Sequence, residues 1–140
     1  LPSNACQTGL LKNVAIGLIG GRAGEKFTDF YCSRIKTLNI DEIIRNPTSA
    51  LSLTSDARAT VARELAVRYA GGDDNTRKTI FNAMYTIYKA TGGSGVGLDM
   101  FLTFMAELQK VNLDLYSKLV WELEEIDPEL MRKVSTNAEA

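Results

Sequence analysis

The amino-acid sequence predicts an all-α fold, a compact bundle of five main helices with two or three short ones. Three observations predict it. Apolar residues recur at the i, i+3, i+4, i+7 spacing of one helix face along most of the chain. No stretch of useful length alternates apolar and polar residues as a half-buried strand does. Gly, Pro and capping residues punctuate the periodic stretches at helix-length intervals. With 45% apolar and 24% charged residues, a chain of 140 residues has ordinary globular composition and can bury a core without staples.

The elements follow in order. A first helix is expected over residues 7–19, with Leu10, Leu11, Val14 and Leu18 on one face, broken by Gly20-Gly21. A second spans 24–36, where Phe27, Phe30, Tyr31 and Ile35 form an amphipathic stripe. Asn39 with Glu42 has capping-box spacing and opens a short helix. That helix must end near Arg45-Asn46, because Pro47 disfavours a helical residue before it. Thr54-Ser55-Asp56 caps a helix carrying Ala57, Val61, Leu65 and Tyr69, which Gly71-Gly72 stops.

Asp73-Asp74 caps a helix over 75–90 with Ile80, Phe81, Met84, Ile87 and Tyr88 as its buried stripe. Residues 91–97, with four glycines in seven residues, read as a flexible connection. The next helix, 98–109, is apolar on every side for two turns and is expected at the centre of the bundle. Asn112 caps a helix with Leu115, Leu119, Trp121 and Leu123. Asp127-Pro128 starts a last short helix to about Val134, with Pro at its first position. Residues 1–134 are thus expected as a single helical domain and 135–140 as a frayed tail.

Composition excludes several functions. The chain contains no His, which removes Ser-His-Asp and Cys-His nucleophiles and His-ligated zinc. Cys6 and Cys32 cannot close a structural zinc site alone. They read as buried free thiols, a disulfide being the alternative if the chain is secreted. The glycine segment precedes a helix, where phosphate could sit, but it lacks the Lys-Ser/Thr of a P-loop and no strand precedes it. The acids Glu122, Glu124, Glu125, Asp127 and Glu129 lack calcium-loop spacing and read as a solvated helix end. No catalytic residue, cofactor or metal is expected.

Net charge is −1, so no general attraction to nucleic acid or an anionic membrane is expected. The halves differ in sign: residues 1–70 hold 9 Lys and Arg against 6 acids, and residues 71–140 hold 7 against 11. No apolar run reaches the length of a membrane span, and no signal peptide stands at the start. The opening Leu1-Pro2-Ser3-Asn4, without an initiator Met, reads either as a mature form or as a piece of a longer protein.

One segment carries a more specific pattern. Gly17-Leu18-Ile19-Gly20 is followed by Glu25-Lys26-Phe27, by Phe30-Tyr31, and then by Leu38-Asn39-Ile40-Asp41-Glu42-Ile43-Ile44-Arg45-Asn46-Pro47. This order resembles the helical region that follows the ATPase core of MoxR-like AAA+ ATPases, over about residues 10–70. The family often has an Arg-Leu-Pro motif before its penultimate helix pair, and here residues 91–97 take that place. The resemblance implies a cytoplasmic, non-catalytic accessory domain of a chaperone-like ring, packing on its own ATPase core or on a protein partner. Homo-oligomerisation would run through the parent protein. The family's Walker A loop, Walker B carboxylate and arginine finger are absent from this chain, so no catalytic residue carries over. The alternative is a free-standing helical effector or structural protein, viral or secreted, that also acts by protein–protein contacts.

Either way, function is expected where apolar residues exceed one helix face. Two regions have such an excess, 98–109 and 118–123. In the second, Trp121 falls off the line set by Leu115, Leu119 and Leu123. The expected interaction patch is Tyr116 and Trp121 beside Glu122, Glu124 and Glu125, facing a basic partner or the ATPase core.

Overall fold

The computed structural model describes residues 16–17, 20–26 and 39–139, and among these every regular element is a helix. The chain divides into two compact units, Leu1–Asn39 and Ile40–Ala140. In the first, Gly20 takes a φ of +95°, a conformation suited to glycine. Its amide donates to the Ile16 carbonyl, and residues 21–26 are helical. The helix break predicted at Gly20-Gly21 is therefore present, but the chain turns helical again at once rather than at Gly24. The remainder of the two predicted N-terminal helices, with Cys6, Phe27, Phe30 and Cys32, lies outside the described residues.

The second unit opens with α1 (Ile40–Arg45). The Asn46 amide closes that helix on the Glu42 carbonyl at 2.7 Å, and Pro47 starts a 3-10 turn, Pro47–Ser52. The predicted stop before Pro47 is where the helix ends. Four longer helices then begin on side-chain caps, three of them, at Thr54, Asp73 and Asn112, where the sequence marks them. Thr54 Oγ1 accepts from the Ala57 amide to start α2 (Ser55–Gly71). Asp73 Oδ1 accepts from Thr76 to start α3 (Asp74–Ala90), and this bond holds the Asp73 carboxyl below its usual pKa. Asn112 Oδ1 accepts from Leu115 for α5 (Leu113–Ile126), and Asp127 Oδ1 from Leu130 for α6 (Pro128–Glu139).

Between α3 and α5 lies α4 (Gly95–Val111), which packs against α2, α3, α5 and α6. Met100, Phe101, Phe104, Met105 and Leu108 are all buried along it. Phe104 meets Tyr69 edge-on at 5.7 Å between ring centroids and tilts against Phe101 at 6.1 Å. Phe101 in turn meets Phe81 edge-on at 6.3 Å. A helix apolar on every side is explained by neighbours on several sides. The apolar excess of the 98–109 region is thus consumed internally: Leu98 and Leu102 pack against the core.

Two boundaries differ from expectation. The glycine segment is not simply a flexible connection, because α4 begins at Gly95. Gly92, Gly93 and Gly95 all have positive φ, which only glycine adopts without strain, and they build a tight reversal. Lys133 ties this turn down: its Nζ donates to the Gly93 carbonyl at 2.6 Å and to the Tyr88 hydroxyl at 3.1 Å. The last helix continues to Glu139, past the end expected at Val134, since no Gly or Pro follows to stop it. Among the described residues no helix is long and apolar enough to cross a membrane.

Candidate functional site

The helix α5 sorts the predicted patch residues by angle. Tyr116, Leu119 and Leu123, spaced i, i+3 and i+7, are buried against the core. Burial raises the Tyr116 pKa above that of a free phenol. Tyr116 is therefore a core residue and does not edge an exposed patch. A Tyr in a Leu-lined stripe reads equally well as core or as rim, and only the neighbouring helices decide.

Trp121 is 73% exposed. Its i±3 and i±4 neighbours are Ser117, Lys118, Glu124 and Glu125, all exposed. The structure brings together Trp121, Glu124 and Glu125 on one outward face. Leu113, eight residues earlier, is 59% exposed and extends the apolar stripe of that face. Its i, i+4, i+8 spacing with Ser117 and Trp121 was visible in the sequence but was overshadowed by the stronger Leu115–Leu119–Leu123 line. Asp114 adds a further exposed acid near the helix start.

Glu122 lies to one side and belongs to a different feature. It lines a groove of about 400 Å³ between α3 and α5, to which Tyr69 of α2 also contributes. Tyr69 is 6% exposed. Burial and then the Glu122 charge raise its pKa, with Arg77 opposing, so it stays a neutral phenol and a hydrogen-bond donor. Arg77 is anchored at the groove, its Nε donating to the Tyr69 carbonyl at 3.1 Å and its Nη1 to Asp74 at 3.4 Å.

The acidic run does not converge on a cation. Asp127 is committed to its own helix, accepting from Leu130 with Oδ1 and from the Tyr85 hydroxyl with Oδ2 at 2.9 Å. Its pKa is lowered: partial burial acts against the charge, but these two bonds and the nearby Lys89 and Lys133 outweigh it. Among the described residues, no group of three or more His, Cys, Asp or Glu is placed to hold a metal ion. Of the residues that carry the MoxR-like pattern, Leu18, Ile19, Phe27, Phe30, Tyr31 and Leu38 lie outside the described residues. Compared with known proteins, the chain matches no family model, no curated protein and no solved structure.

Proposed function

We propose that this chain is a protein-interaction domain whose docking surface is the outward face of α5, centred on Trp121. The observation that carries this reading is the exposure of the only Trp in the chain, 73%, in a domain that buries its other core aromatics well. Trp is among the residues most enriched at binding hot spots, and leaving it in water forgoes the burial that a core position would supply. Glu124, Glu125 and Asp114 surround it with negative charge, against Lys118 as the one cation among its i±3 and i±4 neighbours. The complementary partner presents an apolar pocket rimmed by Lys or Arg. The accessory role implied by the MoxR-like resemblance is one instance of this, the partner then being a basic surface of an ATPase core.

Site-specific photo-cross-linking tests the proposal. Benzoylphenylalanine in place of Trp121 is expected to give a discrete protein adduct in cells that make the protein. The same group in place of exposed Thr86, on α3, should give none. Glu124→Lys with Glu125→Lys should abolish the adduct. No discrete adduct from position 121, or one indifferent to charge reversal, would refute the docking face.

A further inference from the structure

The groove between α3 and α5 is independent of the Trp121 face, and we propose that it binds an organic anion with an apolar body. Its volume, about 400 Å³, lies in the range of small-ligand clefts. The floor is apolar and partly aromatic, formed by Tyr69, Phe81, Leu115 and Leu119. Ile126, 51% exposed, also lines the groove and would be covered by a ligand.

Hydrogen-bond donors stand on both walls. Arg77 and Lys78 come from α3 and Lys118 from α5. Arg77 uses Nε and Nη1 on Tyr69 and Asp74, which fixes the guanidinium while leaving Nη2 free to donate. Lys78 and Lys118 make no ion pair or hydrogen bond among the described residues. Asp74 is paired with Arg77, so two lysines remain against Glu122 and the groove is net positive.

The most specific feature is Tyr69. Its residue is 94% buried as the complement of 6% exposure, yet its hydroxyl has no hydrogen-bond partner among the described residues. No fully buried side-chain polar atom there lacks a partner, so this hydroxyl remains reachable from the groove it lines. A neutral phenol donor in an apolar floor, where Arg77 opposes the Glu122 charge, can orient a carboxylate or sulfonate whose own charge is met by Lys78 and Lys118. The apolar body of the ligand would cover Phe81, Leu115 and Ile126.

Anilinonaphthalene sulfonate is a direct probe, because it joins an aromatic body to one anionic group. It is expected to bind the full chain at one site, with saturating fluorescence and a Kd on the order of tens of micromolar. Lys78→Glu with Lys118→Glu should weaken binding about tenfold or more. Tyr69→Phe, which keeps the ring and its packing, should weaken it about threefold to tenfold. The neutral phenylnaphthylamine should bind no better to the native chain than to the double lysine variant. Trp121→Glu should leave the affinity unchanged, so a failure of the Trp121 docking face does not disturb this test. Non-saturating binding, or saturable binding unaffected by both the lysine and the Tyr69 variants, would overturn the proposal.

Discussion

Phe104→Ala is expected to destabilise the protein by about 3–5 kcal/mol, the range for truncating a fully buried Phe. Phe104 has no exposed surface and sits where α4 meets α2, with Tyr69 and Phe101 in ring contact on two sides. Phe101 is itself held by Phe81 and Tyr88, so the cavity cannot collapse cheaply on that side. Aromatic edge contacts add about 0.5–1.5 kcal/mol beyond area burial, and these are lost too. The measure is urea unfolding followed by far-ultraviolet circular dichroism, since an exposed Trp121 reports poorly on the core. A large fall in midpoint with little change in slope is expected. A loss below about 1 kcal/mol would mean that α4 is not the central helix.

Gly97→Ala should be the most damaging of the glycine substitutions, at about 2–3 kcal/mol. Gly97 is buried where the first turn of α4 crosses the last turn of α3. A Cβ there would lie 2.5 Å from the Ile87 carbonyl oxygen and 3.0 Å from Tyr88 Cα, and would also collide with Thr91 Oγ1. The Thr91 hydroxyl can rotate away, but the two backbone atoms cannot, so the helices must separate. The gain in helix propensity from Gly to Ala, up to about 1 kcal/mol, offsets only part of this. Gly71→Ala is the matched control: nothing lies within 4 Å of its Cβ position, and it should be neutral or slightly stabilising. Equal thermal stability of the two variants would contradict the close α3–α4 approach.

These two positions also mark what a sequence reader can and cannot see. Phe104 was legible because a run apolar on every side needs neighbours on several sides, whatever those neighbours are. Caps at Thr54, Asp73 and Asn112 were legible because capping is local, decided within three residues. Gly97 was not, because a glycine needed for close approach looks the same in sequence as a glycine in a loose connection. The distinction depends on the Ile87 backbone ten residues away in sequence. Lys133 holding the Gly93 carbonyl is a contact across 40 residues and leaves no local signal.

The candidate site divides along the same line. Trp121, Glu124 and Glu125 share a face through i+3 and i+4 spacing, which sequence states outright. Tyr116 was misplaced, and what surrounds Glu122 could not be read, because both depend on other helices. The core claims Tyr116, and Glu122 shares its groove with Arg77 and Tyr69. The groove itself is built from three helices and has no counterpart in any single stretch of chain.

The functional reading rests on Trp121 standing in water within an acidic field, and the fluorescence of that residue tests it directly because the chain contains no other Trp. The emission of the native protein should be red-shifted toward that of free tryptophan and readily quenched by acrylamide. Caesium should quench it more efficiently than iodide at low ionic strength, since Glu124 and Glu125 attract cations and repel anions. The difference should shrink as salt screens the field over a Debye length of about 10 Å at 0.1 M. Blue-shifted, unquenched emission, or iodide quenching at least as strong as caesium quenching, would contradict the account.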